Sequence, residues 1–297
     1  MGKHVESGVN GSVAIKAQDA AASATAGQAP RRIAIITGAT SGVGLEFARQ
    51  LDAGAGGQLD ELWLIARSKE RLAATAAQLA HHTRVFSIDL SLDGSADVIE
   101  SALWEASQHG SVQIAWLVNS AGFGRFGRLQ DIGRSQNAAM VRLNCVALLD
   151  LCCIALDYMG PGSRIVNLAS VAGLMPQPEL SVYCATKSFV FDFTRCLDYE
   201  LRATGIHAMA LCPKFMDTRF LDNAGEPQAV RRMTSIGFED VGRVVRCAIK
   251  AALKGRTYCI PALDMRAAYA LVKLLPSAAT LRLQDLIFTL RRGSSAS

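Results

Sequence analysis

The sequence has little that would commit it to a metal site, a disulfide framework or a membrane. Its eight cysteines, at positions 145, 152, 153, 184, 196, 212, 247 and 259, include no Cys-x-x-Cys pair, and no histidine cluster lies beside them. Most fall in apolar runs. They read as reduced core thiols of a cytosolic protein, with no metal expected. No uncharged apolar run reaches about 18 residues, so no transmembrane span is expected. The N-terminus lacks the apolar segment of a secretory signal. A basic groove is missing too. The net charge is +5, but residues 1–32 carry +2 of it and residues 262–297 carry +3. The middle of the chain is neutral, which argues against a nucleic-acid partner. Half the residues are apolar and 19% charged, as in a globular protein.

Residues 1–30 are rich in Ala, Ser, Gly and Gln with almost no large apolar side chains, and are expected to be a disordered extension. From there short apolar runs alternate with helical patterns. Strands are expected at Arg32–Thr37, Leu59–Ala66, Arg84–Ile88, Gln113–Asn119, Arg164–Ala169, His207–Leu211 and Thr257–Ile260. Helices are expected at Leu45–Leu51, Lys69–Leu79, Ser95–Ala106, Ala138–Leu156, Ser181–Leu201 and Glu239–Leu253. Such alternation means β-α-β units. The expected fold is therefore α/β, a Rossmann-type doubly wound parallel sheet of about seven strands with helices on both faces. Its ligands belong at the carboxyl ends of the strands.

Two groups stand where such a sheet puts its chemistry. Thr37-Gly38-Ala39-Thr40-Ser41-Gly42-Val43-Gly44 joins the first strand to the first helix. Its glycines allow a tight turn and close approach to a pyrophosphate, which a helix N-terminus attracts. Further on, Tyr183 and Lys187 are four apart and share a helical face. The stripe Phe189, Phe193, Cys196, Leu197 and Leu201 continues the same helix. A free phenol has a pKa of about 10, and bringing it to about 7 takes roughly 4 kcal/mol. A cation one turn away works in that direction. Alone, Tyr-x-x-x-Lys occurs by chance in many helices and reads as a surface pair.

With these motifs in order, the chain resembles the short-chain dehydrogenase/reductase family over roughly residues 31–262. The glycine turn matches the family's Thr-Gly-x-x-x-Gly-x-Gly in full. Asp89-Leu90 follows the third strand. Asn119-Ser120-Ala121-Gly122 follows the fourth and matches Asn-Asn-Ala-Gly except at Ser120. Asn144 lies on the long helix, and Ser170 ends the fifth strand. The resemblance implies catalytic roles for Asn144, Ser170, Tyr183 and Lys187. It implies cofactor contacts at Gly38, Thr40, Ser41, Gly42, Val43, Gly44, Arg67, Asp89, Leu90, Asn119, Ala121, Gly122, Tyr183, Lys187, Met216 and Thr218. Asn144 would hold a water linking Lys187 to solvent. Each motif keeps a plainer alternative: Asn119 as a link between strands, Asp89 as a cap, Ser170 as a turn residue.

The implied activity is hydride transfer between a nicotinamide cofactor and a ketone or secondary alcohol. No carboxylate occurs in Ile65–Lys69, where selection of NAD would place one. Arg67, with Lys69 near, suits a 2′-phosphate instead, so NADP(H) is expected. Leu174, Met175, Phe215, Met216, Phe220, Leu221, Met233 and Phe238 suggest an apolar substrate such as a hydroxysteroid. The alternatives are a 3-oxoacyl reductase of fatty-acid or polyketide type, and an NADP(H)-binding regulatory protein without turnover. Lys214 departs from the family's usual Pro-Gly and leaves that loop in question. Residues 263–297 form a basic, amphipathic tail that either packs over the site, packs on another subunit or lies on a membrane surface. By resemblance alone, subunits pair into a homodimer or homotetramer through the two long helices.

Overall fold

The central strand of the molecule, β1 (Arg31–Thr37), is buried on both faces. Ile33 and Ile35 point to one side of the sheet, Ala34 and Ile36 to the other, and each is at most 1% exposed. A strand of this kind needs helices on both sides. The computed structural model describes residues 29–216, Phe220 and residues 237–273. Residues 1–28 of the expected disordered extension, Thr218 and residues 274–297 of the tail lie outside these residues.

The elements follow in order: α1 (Gly42–Asp52), β2 (Glu61–Ala66), α2 (Lys69–Ala76), β3 (His82–Ser87), α3 (Asp97–Gln108) and β4 (Val112–Asn119). A long helix α4 spans Arg134–Leu156. Then come β5 (Arg164–Leu168), α5 (Ser181–Glu200), β6 (His207–Leu211), α6 (Val241–Leu253), β7 (Tyr258–Cys259) and α7 (Leu263–Val272). The sheet is parallel throughout, in the order β3-β2-β1-β4-β5-β6-β7. Ile99 and Leu103 of α3, Leu148 and Leu151 of α4, and Val190 and Phe191 of α5 pack with Ile33 and Ile35. Phe47 and Leu51 of α1, Leu72 of α2, and Val244 and Ala248 of α6 pack with Ala34 and Ile36. This is the expected Rossmann-type doubly wound arrangement. Strand order reverses between β1 and β4, and the crevice there, at the carboxyl ends, is where such sheets hold ligands.

Two helices differ from expectation. Helix α4 begins at Arg134, earlier than Ala138, and is interrupted by a π turn at Arg142–Val146. An extra residue in one turn leaves the apolar pattern readable on either side, so hydrophobic spacing does not reveal it. This helix is long and apolar enough to cross a membrane by length and composition. It nevertheless buries Met140, Cys145, Leu148, Leu151, Cys152 and Ala155 inside the protein, as a core helix does. Helix α5 buries only part of the expected stripe: Leu197 is buried, and Phe193 and Leu201 pack partly buried against the core. Val190, Phe191, Thr194, Leu197 and Asp198 are buried, whereas Phe189 is 41% exposed and Cys196 is exposed. Polar residues on the buried face explain the difference. Asp198 accepts from the Ala208 amide at 3.0 Å and the Thr257 hydroxyl at 2.8 Å, tying α5 to β6 and the start of β7.

Candidate active site

Thr37, at the end of β1, ties the two central strands together. Its Oγ1 accepts from the amides of Ser120 at 3.0 Å and Ala121 at 2.9 Å. The turn that follows leaves no room for side chains at Gly38 and Gly44. Gly38 has φ +66° and Gly42 φ +53°, in the left-handed region that glycine occupies freely. A Cβ on Gly38 would sit 3.1 Å from the Ala121 amide nitrogen, and one on Gly44 would sit 2.5 Å from the Gly38 carbonyl oxygen. The turn thus folds against itself. Gly44 lies within that packing, and Gly38, Thr40, Ser41, Gly42 and Val43 line a cavity of about 1110 Å³. The N-terminus of α1 opens onto it, and the Ser41 side chain makes no capping bond there.

At the far end of the cavity lie Arg67 and, unforeseen from the sequence, Arg71. Lys69 is not among the lining residues; the first turn of α2 carries Arg71 to the wall in its place. Asp89 and Leu90 also line the cavity. Asp89 accepts from the Ser91 amide at 3.0 Å and the Ser91 hydroxyl at 2.7 Å. Partial burial works against its ionisation, but those two bonds and the charge of Arg67 outweigh it and hold the carboxyl below its usual range. Ala121 and Gly122 line the cavity as well. The glycine cradle, the helix N-terminus, the apolar shelf of Ile65, Ile88 and Leu90, and the terminal arginines together fit a nicotinamide dinucleotide.

Asn119 does not reach this cavity. It is 3% exposed and donates to Asn167 Oδ1 at 2.9 Å across the β4–β5 pair. Asn167 donates in turn to Thr194 Oγ1 at 3.0 Å. Its side chain is taken up in a buried polar chain linking β4, β5 and α5, the inter-strand role that the sequence left open. Asn144 sits in the π turn and is 1% exposed. Its Nδ2 donates to the Phe123 carbonyl at 2.9 Å and to Thr186 Oγ1 at 3.1 Å, and its Oδ1 accepts from the Phe123 amide at 3.1 Å. Both amide protons are committed to the protein, so its side chain positions the Gly122–Phe123 loop against α5. Thr186 was not foreseen as its partner.

Ser170, Tyr183 and Lys187 come together at the cavity wall. Ser170 Oγ accepts from the Ala172 amide at 3.1 Å, which sets its rotamer, and its hydroxyl is near enough to the Tyr183 phenol to favour the phenolate. Lys187 Nζ lies 5.9 Å from the Tyr183 ring centroid and donates to the Leu168 carbonyl at 2.6 Å. Burial pushes the phenol up, and the neighbouring Ser170 hydroxyl opposes it only in part. The sequence expectation of a lowered phenol pKa is thus reversed, because desolvation of the anion exceeds the help available to it. Burial also pulls Lys187 down to about 8, against the nearby thiols of Cys145 and Cys212.

The remaining walls correct several expectations. Met175, Phe215, Met216 and Phe220 line the cavity as anticipated. Leu174 instead packs into the core, and Phe238 is 53% exposed; Leu221, Met233 and Thr218 lie outside the described residues. Helix α7 supplies two further residues, Met265 and Ala268, so the first part of the tail packs at the site. Lys214 secures it there: its amide donates to Glu239 Oε2 at 2.8 Å and its Nζ to Asp264 Oδ2 of α7 at 2.8 Å. The side chain that replaces the usual glycine thus points to the tail helix.

The model of the short chain dehydrogenase family matches residues 32–229. The chain belongs to the short-chain dehydrogenase/reductase family. It is similar to sulfoacetaldehyde reductase 2 of Chromohalobacter salexigens, 32% identical over 226 residues that cover 72% of this chain and 86% of the relative. It is also similar to the granaticin polyketide synthase putative ketoacyl reductase 1 of Streptomyces violaceoruber, at 33% over 218 residues, 71% of this chain and 77% of the relative. Among solved structures, a short-chain dehydrogenase from Sphingobium yanoikuyae in complex with NADPH superposes with a TM-score of 0.68 at 26% identity, over 82% of this chain and 92% of that one. One from Burkholderia phymatum in complex with NAD gives 0.70 at 24%, over 81% and 92%, and shows the shared fold alone. This short-chain dehydrogenase/reductase is accordingly an NAD(P)(H)-binding oxidoreductase acting on an alcohol or ketone group.

Proposed function

We propose that the protein is an NADP(H)-dependent reductase of apolar ketones, of which a steroid ketone is one candidate, working also in reverse on the secondary alcohol. The observation that carries this reading is the meeting of Tyr183, Ser170 and Lys187 on one wall of the cavity. The cofactor supplies the hydride to the carbonyl carbon or accepts it from the alcohol. Tyr183 gives its phenolic proton to the oxygen as charge develops there, and takes it back in the alcohol direction. Ser170 donates to the same oxygen from a rotamer fixed by Ala172. Lys187, a cation one turn along the helix, stabilises the phenolate left behind. Gly38 and Gly42 admit the pyrophosphate, and Met175, Phe215, Met216 and Phe220 receive the apolar body of the substrate. The ketoacyl reductase relative favours a 3-oxoacyl substrate as the second reading. For that reading Lys214 is not the anion receptor, because its ammonium is bound to Asp264.

The choice of NADP(H) is supported by Arg67 and Arg71 at the ribose end and by the absence of a carboxylate from residues 65–69. Arg67→Ala is expected to weaken NADPH binding about tenfold, as loss of a charge-assisted phosphate contact should. NADH binding, measured by the same fluorescence titration, should change much less; equal losses would remove the argument for NADP(H).

Pairing of two copies through α4 and α5 belongs to the same reading. Leu149 and Phe189 are exposed on these helices, and Phe189 stacks on Phe193 at 5.7 Å. Light scattering should return twice or four times the chain mass, and a monomer at micromolar concentration would overturn this assembly.

A further inference from the structure

Arg125 lies three residues beyond Gly122, on the loop leaving β4, and lines the cavity. Its Nε is buried without a hydrogen-bond partner, and its guanidinium pairs with no acid among the described residues. The other cations near the reacting end are engaged. Lys187 is bound to the Leu168 carbonyl and Lys214 to Asp264. Asp89 is the one carboxylate among the described lining residues. It sits at the end of β3, bonded to Ser91 and beside Arg67. Among the described residues, no group therefore answers the charge of Arg125.

The stem that carries Arg125 is fixed on both sides. A Cβ on Gly124 would lie 2.9 Å from Tyr183 Cδ2 and 2.8 Å from Phe220 Cζ, so the loop backbone rests on the Tyr183 ring. Phe126 is 3% exposed and meets Phe215 edge-on at 5.9 Å. Asn144 holds Phe123 through both its amide and its carbonyl. An arginine presented on such a stem, lining the same cavity as Tyr183, is placed to meet a ligand. Gln136 and Gln177 line the same cavity and add neutral donors. A partly buried guanidinium favours a bound oxyanion, which takes two parallel N–H bonds from its planar fork.

We propose that Arg125 receives an oxyanion carried by the substrate, so that the preferred substrate is a keto acid: apolar in its chain, anionic at one end and reduced at a carbonyl beside Tyr183. This rests on the ketone-reductase reading above and narrows its substrate class. The test uses the full-length protein with NADPH and a homologous series of straight-chain methyl ketones bearing a terminal carboxylate, each beside its methyl ester. At the best chain length, kcat/KM for the acid should exceed that for the ester by about tenfold or more. In Arg125→Met the ratio should fall towards one, chiefly through KM for the acid, and Arg125→Lys should recover part of it. Equal turnover of acid and ester by the unaltered protein overturns the inference without touching the ketone-reductase reading. If no ketone in either series is reduced, that reading fails, and calorimetric titration of the keto acids into the NADPH-loaded protein decides the role of Arg125. Binding that is lost in Arg125→Met supports it, and no binding overturns it.

Discussion

Tyr183→Phe will lower kcat by about a thousandfold on any ketone the protein reduces, while NADPH binding stays within about threefold. The substitution removes one oxygen and keeps the ring, which packs on Phe220 at a centroid distance of 5.6 Å. Local packing should therefore survive. What disappears is the proton donor. In this site burial raises the phenol, so it is fully protonated at neutral pH and ready to give a proton to an oxygen that is gaining charge. An acid this weak would be a poor donor in isolation. Lys187 alters that as the reaction proceeds. With a pKa lowered to about 8 it is still mostly charged at pH 7, and its field acts on the phenolate only as that anion appears. The stabilisation is thus greater in the transition state than in the ground state, the condition for a rate effect. Single-turnover NADPH oxidation separates chemistry from product release. Unchanged turnover in the variant would sink the assigned role, and loss of NADPH binding would show a packing role instead.

The parallel sheet was legible because each strand buried on both faces leaves a short continuous apolar run, and each run ends at a motif residue. The cradle at Gly38–Gly44 was legible for a similar reason, since glycine there answers to backbone geometry that no other residue adopts freely. Misreadings came where polar side chains are buried by pairing with one another. The partner of Asn119 was not legible, because nothing in the sequence signals that Asn167, 48 positions away, completes its bond. Thr194 and Asp198 turn a face of α5 inward that hydrophobicity alone assigns to the surface. Phe189, apolar enough to suggest a core stripe, is 41% exposed and stacks on Phe193, which is partly buried against the core. Arg71 was missed for a different reason. Its role depends on the first turn of α2 rotating it, and not Lys69, to the cavity wall. The π turn at Arg142–Val146 left no trace in the apolar spacing, although it places Asn144.

Gly44→Ala is the other substitution expected to have a large effect, and here the cause is entirely steric. The added methyl would sit 2.5 Å from the Gly38 carbonyl oxygen, 2.8 Å from the Gly38 carbonyl carbon and 2.9 Å from the Thr37 carbonyl oxygen. All three are backbone atoms, so no flexible side chain can yield. Either α1 shifts away from β1 or the turn opens. The first route disturbs the packing of Phe47 and Leu51, both fully buried. Overpacking of this kind costs about 1–3 kcal/mol of stability. The second route moves Gly38 away from Ala121 and strains the bonds from Ser120 and Ala121 to Thr37. It also displaces the amides at the N-terminus of α1 from the place a pyrophosphate would occupy, and NADPH should bind at least tenfold more weakly. Gly57 provides the control. It lies in an open turn, and a Cβ there meets nothing within 4 Å, although its φ of +90° makes Gly57→Ala mildly strained. Gly57→Ala should therefore cost some stability with no change in NADPH affinity, whereas Gly44→Ala should lose both. Urea unfolding and fluorescence titration of NADPH on the two variants measure the difference. Wild-type affinity in Gly44→Ala would mean that the turn is not the phosphate cradle.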